Sequence, residues 1–210
     1  MKNTHKLKYG LICLIMLFFY VKAQAQSGHD MMHMGHHPEK HIYLRMMDSM
    51  MVSMDTVKSQ QSPDGMFLSL MRPHHSGAIS MAQYQISHGK NAEMIQLAKS
   101  ILAEQQSEYQ QMGMWLQNIK VNADGLTPAY TNALSKSMTD MMNVMPPASA
   151  LNDTDRAFAL IMIPHHQAAI DMAKAGISVI RDKQVLNYAR LLISNEKIEI
   201  DQMSNYLSNK

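Results

Sequence analysis

From residue 67 onward, apolar residues return at the 4, 3, 4, 3 spacing of a helix face, and a histidine stands in the middle of that face. Phe67, Met71, His74, Ala78 and Met81 form one stripe; His75, Ile79, Ala82 and Ile86 form the adjoining one. At about 100° per residue the two histidines flank the centre of the apolar face rather than opposing it. The same arrangement returns in 158–173, where His165-His166 again follow a proline. Both stretches predict buried helices that carry paired imidazoles.

The recurrence belongs to a longer repeat. Shifted by 91 positions, residues 41–116 lie on 132–207 without a gap, and 21 of the 76 aligned positions are identical. The identities are selective. Met47, Met50, Met51, Met54, Met71, Met81 and Met112 align with Met138, Met141, Met142, Met145, Met162, Met172 and Met203. The four paired histidines match, as do Glu108 with Glu199 and Asp64 with Asp155. This is a tandem duplication.

Each half reads as three helices, and no strand pattern is visible. The first helix carries the Met stripe at i, i+3, i+4, i+7; in the second half Pro146-Pro147 stops it. The second helix starts at Ser62-Pro63-Asp64 or Asp153-Thr154-Asp155, with an N-cap residue first and an acid in the first turn, where the helix dipole favours it. It runs to about His88, where Gly89 can cap it, and in the second half to about Ile180. The third helix covers roughly 91–119 and 182–208. Asn122-Ala-Asp-Gly125 joins the halves. Short turns make the second and third helices of each half antiparallel neighbours, and two such hairpins make an all-α four-helix bundle with additional short Met-rich helices across an end or a side.

On the third helix, Met94, Ala98, Ile101, Gln105, Glu108, Met112 and Trp115 share a stripe, matched by Val185, Ala189, Leu192, Glu196, Glu199, Met203 and Tyr206. Glu108 and Glu199 thus fall on apolar faces. A buried carboxylate needs a partner, and an imidazole on the facing helix would serve, orienting the ring for a metal; a structural ion pair is the alternative. Pro73 and Pro164 lie inside helices, where each removes an amide donor and predicts a kink just before the histidines. The Met stripes of the first helices serve equally well as plain core.

Composition locates the chain. Lys2, Lys6 and Lys8 precede an apolar run at 10–21 that is too short to span a bilayer, and Ala23-Gln24-Ala25 is a small-x-small cleavage site. Residues 1–25 therefore read as a signal peptide, with a retained anchor as the alternative. The chain's 19 basic residues include four lysines in this segment, and none of its 17 acids lies there. The exported part is then slightly acidic, with no basic patch for nucleic acid and no stable membrane anchor. The single cysteine, Cys13, leaves with the signal, so any soft ligand must be a thioether or an imidazole. Residues 26–40 read as a disordered His/Met-rich tail before a duplicated domain at 41–208. His29, Met31, Met32, His33, Met34, His36 and His37, with His41 behind them, suit metal capture. Thioethers favour Cu(I), and imidazoles accept Cu(I) or Cu(II); a His-rich tract also suits zinc or nickel.

The repeated D-x-x-F-x-x-x-M-x-P-H-H-x-x-A-I-x-M-A from Asp64 and from Asp155, followed by Glu-x-x-x-Met on the third helix, resembles the domain-of-unknown-function 305 family over about residues 40–208. That resemblance implies an exported, ferritin-like helical bundle, and some members bind copper in the periplasm. The chain departs from the pattern at Arg72, opposite Ile163, at Glu196 opposite Gln105, and at Tyr206 opposite Trp115; these departures leave room for unequal sites.

The function expected is periplasmic copper sequestration, tolerance or delivery. Its ligands would come from His74, His75, His165, His166, Met71, Met162, Met81, Met172, Met112 and Met203, supported by Glu108 and Glu199 and fed by the tail. A copper-donating or copper-accepting envelope protein would be the partner; the oligomeric state stays open. Two other readings remain. A ferritin-like metallo-oxidoreductase is disfavoured, because no Glu lies three residues before either His pair as di-iron bundles require. The other is a metal-free envelope scaffold or chaperone. No Ser-His-Asp spacing, phosphate loop or thiol points to an enzyme.

Overall fold

The computed structural model describes residues 40–209, and all their regular structure is helical. The signal segment and the tail histidines and methionines up to His37 lie outside the described residues. No described helix is long and apolar enough to cross a membrane.

The helices are α1 Ile42–Asp55, α2 Pro63–His88, α3 Ala92–Leu116, α4 Pro128–Asn143, α5 Thr154–Gly176 and α6 Lys183–Ser208, with a short 3-10 turn at Ala148–Ala150. Every α-helix has a capped start. Ser62 Oγ accepts from Gly65 N at 3.0 Å with Pro63 at the first position, and Asp153 Oδ1 accepts from Arg156 N at 2.8 Å. Asn91 and Asp182 do the same for α3 and α6. His41 is the cap of α1, its Nδ1 accepting from Tyr43 N at 3.3 Å. The sequence groups His41 with the tail ligands; its Nδ1 is engaged by the helix.

α2 pairs with α3 and α5 with α6 as two hairpins, and the hairpins meet chiefly along α2 and α5. α1 lies along α2 and α4 along α5, so each Met-striped helix covers the histidine helix of its own half from the side. Met47, Met50, Met54, Met138 and Met141 are buried there. Close approach needs small residues: a Cβ on Gly77 would lie 2.7 Å from Met50 Sδ. α2 and α5 run unbroken through Pro73 and Pro164.

One sequence expectation changes, and two gain detail. α5 stops at Gly176 rather than near Ile180, because Ile180 folds back beneath it: a Cβ on Gly176 would sit 2.6 Å from Ile180 Cδ1. Gly89 closes α2 in an extended conformation (φ −68°, ψ 157°), not the left-handed one. Its missing side chain leaves room for the Asp155 carboxylate, 2.7 Å from where a Cβ would stand. The first-turn acids also reach beyond their own helices. Asp155 of α5 accepts from Lys90 N and Asn91 N in the α2–α3 turn, and Asp64 of α2 accepts from Arg181 N and Asp182 N in the α5–α6 turn. Each hairpin thus fastens the turn of the other.

Candidate metal centre at the duplicated histidines

The four paired histidines are fully buried, and they meet where α2 crosses α5. The rings of His74 and His165 stack with centroids 3.7 Å apart and planes 29° apart. His165 Nε2–H donates to the His74 carbonyl at 3.2 Å. The outer histidine of each pair turns toward its own hairpin. His75 Nε2 lies 2.7 Å from Glu108 Oε2, and His166 Nε2 lies 2.7 Å from Glu199 Oε2. The first is an aligned hydrogen bond. The second is close but misdirected, so His166 Nε2 makes an ion-pair contact without a well-formed bond.

Repeat-equivalent residues touch each other along the middle of the molecule. His74 meets His165; Gln105 Nε2 donates to Glu196 Oε1 at 3.0 Å; Asn195 Nδ2 donates to Glu104 Oε1 at 2.7 Å. All three pairs are separated by 91 residues, the length of the repeat, and so mark a local twofold axis. Glu196 is buried against other carboxylates. Burial first, then Glu199, Glu108 and Glu104, push its pKa well above the ordinary range. Glu196 Oε2 and Gln105 Oε1 have no hydrogen-bond partner.

Burial also drives His74 and His165 well below the ordinary histidine pKa; the neighbouring imidazoles push the same way, His75 on His74 and His74 on His165. Both are therefore neutral at pH 7, the form that ligates metals. Among the four paired histidines, five buried nitrogens have neither a hydrogen-bond partner nor a carboxylate contact: both of His74, and Nδ1 of His75, His165 and His166. Each such atom costs on the order of 1–3 kcal/mol in a dry core. With Nε2 of His75 committed to Glu108, its Nδ1 carries the free lone pair.

Met71, Met81, Met112, Met162, Met172 and Met203 are fully buried in the same core. Met71 and Met162 stand one turn before the histidine pairs, on their own helices. Among the described residues, no three of His, Asp and Glu converge on one point as a metal cage would require. The free donors are imidazole nitrogens, and the thioethers are the groups that could complete a set around a soft ion.

Tyr188 is the residue the stripes did not single out. From α6 of the second hairpin its hydroxyl reaches into the first, 3.0 Å from His75 Nε2 and 3.4 Å from Glu108 Oε2. Its presence on α6 at the buried seam was visible in the sequence, but its contact across the hairpins was not.

The model for the domain of unknown function DUF305 matches residues 17–116 and 110–207, one copy for each half. The chain belongs to the DUF305 family. Among solved structures, the chain is similar to CopM in a silver-bound form, at 28% identity and a TM-score of 0.53, covering 70% of this chain and 96% of CopM. CopM in its Cu(II)-bound form matches at 26% identity and a TM-score of 0.54, over 72% and 99% of the two chains. A DUF305 fragment from Deinococcus radiodurans shares the fold at 19% identity, with a TM-score of 0.52 and coverage of 73% and 100%. No curated protein matches the sequence.

Proposed function

We propose that this protein is an exported copper-binding protein of the envelope, holding the ion through core imidazoles and thioethers for sequestration, tolerance or delivery. The observation that carries the reading is the set of buried imidazole nitrogens left without partners, two of the rings being backed by glutamates. A duplicated core that leaves so many lone pairs unsatisfied gains by accepting a cation. CopM, solved with silver and with Cu(II), supports copper as the cargo. The buried methionines favour Cu(I). We read α2, α3, α5 and α6 as a four-helix bundle of the ferritin-like kind, which gives the cargo a rigid, dry enclosure. The signal-like segment supports export to the periplasm, where the His/Met tail would gather the ion before the core receives it and a partner protein would supply or collect it.

Titration of the purified protein with Cu(I) against a competing chelator tests the reading. Wild type should hold more copper, and more tightly, than a variant with His74, His75, His165 and His166 replaced by Asn. Equal retention by the two, with the variant folded, would reject the core site.

A further inference from the structure

We propose that Tyr188 is a positioning residue that makes the two histidine half-sites unequal, so that the His75 half takes the first soft cation and the His166 half the second. The inference rests on the core-site reading above and adds an order of filling to it.

The argument begins with the repeat. His75 and His166 are equivalent, as are Glu108 and Glu199, yet among the differences around them one hydroxyl touches the first pair directly. Tyr188 approaches both members of the first pair, and its own repeat equivalent is Leu97, which has no hydrogen-bonding group. His75 Nε2–H donates to Glu108 at 2.7 Å, while the Tyr188 O–H shares the same carboxylate oxygen. His166 Nε2 has only the misdirected contact with Glu199. The phenol is itself held in place. Its ring lies 6.1 Å from Phe67 and 5.5 Å from Trp115, centre to centre, and Tyr206 stands at the position equivalent to Trp115.

A ring fixed at Nε2 by two groups presents Nδ1 in one tautomer and one direction before any ion arrives. A ring with one poorly aligned contact must settle on binding and loses affinity to that ordering. Partners of this kind alter metal affinity by roughly 10-fold to 100-fold.

The test is nitrogen-15 NMR of the histidine rings in the purified protein, first metal-free and then during titration with silver(I) nitrate. Without metal, His75 should show a single Nε2–H tautomer. On titration, its ring signals should move before those of His166, with an affinity gap of about tenfold. Tyr188→Phe keeps the ring and removes one oxygen; it should bring the two sets of signals into step while both halves still bind. A mixed tautomer at His75, simultaneous movement in the wild type, or an unchanged order in Tyr188→Phe overturns the role of Tyr188 and leaves the core site standing. Rings that never respond to silver in the wild type overturn the core site itself.

Discussion

Asp64 and Asp155, equivalent positions of the repeat, each hold the turn of the opposite hairpin. Asp155 accepts from Lys90 N and Asn91 N, both at 3.0 Å, and also from Gln85 Nε2 at 2.5 Å. Gln85 in turn accepts from the Tyr43 hydroxyl at 2.9 Å. Asp64 accepts from Arg181 N at 3.1 Å and Asp182 N at 2.7 Å, with no glutamine beside it, because Gly176 stands where Gln85 does in the first half. Charge-assisted bonds of this kind contribute about 1.5–3 kcal/mol, and their donors become orphans when the acceptor is lost. Asp64→Ala is expected to lower unfolding free energy by at least about 1.5 kcal/mol. Asp155→Ala should cost more, since it also strands the Gln85 amide, which donates to Asp155. Urea denaturation of both variants checks this, and equal losses would contradict the asymmetry.

The glutamates behind the histidines lead to a second prediction. Glu108→Gln and Glu199→Gln keep the shape of the side chain but replace the charged acceptor at His75 or His166. The affinity for Cu(I) or silver(I) is expected to fall roughly 10-fold to 100-fold, with the number of ions bound unchanged. Competition titration separates these quantities. A drop in stoichiometry with no change in affinity would make the glutamates ligands rather than supports.

The thioethers can be separated from their packing role. Leu is close to Met in volume, and such exchanges in a core cost less than about 1.5 kcal/mol. Met71→Leu combined with Met162→Leu should therefore leave the helices and the thermal midpoint nearly intact while weakening Cu(I) binding by tenfold or more. Circular dichroism and a chelator competition on the same samples make the comparison. Unchanged binding would assign these methionines to the core alone.

Much of this was legible in the chain, and for a physical reason. The helices, the duplication and the burial of His74, His75, His165 and His166 follow from spacing along one element, which sequence displays directly. The glutamate stripe on the third helix faced the histidine stripe on the second because a short turn forces those helices together. What sequence hid are contacts that depend on how the two halves dock. Tyr188 acts across hairpins, the acid clasps cross between repeats, and Gln105 meets its own counterpart Glu196. A duplication with a twofold axis brings equivalent residues together, so the 91-residue offset held that last signal. The early end of α5 was hidden because Ile180 keeps the apolar period while the chain turns back onto Gly176.

Acid should loosen the fold in a particular window. His74 and His165 titrate in the unfolded chain near 6.5, while burial holds both well lower in the folded protein. Below pH 6.5 the unfolded state therefore binds more protons, and stability falls with acid by up to about 1.4 kcal/mol per pH unit for each imidazole. Glu196 acts in the opposite sense. Its folded pKa is raised from 4.5, so above that pH the folded state keeps a proton the unfolded chain has lost, and its contribution declines as pH rises. Two imidazoles outweigh one carboxyl, so unfolding free energy should rise from pH 5 to pH 6.5. Glu196→Gln removes the opposing group and keeps an amide facing Gln105, so it should steepen that rise by up to about 1.4 kcal/mol per unit. Urea titrations at half-unit intervals measure both slopes; a flat profile in the wild type, or an unaltered slope in Glu196→Gln, would show that these buried groups do not carry the protonation states their burial imposes.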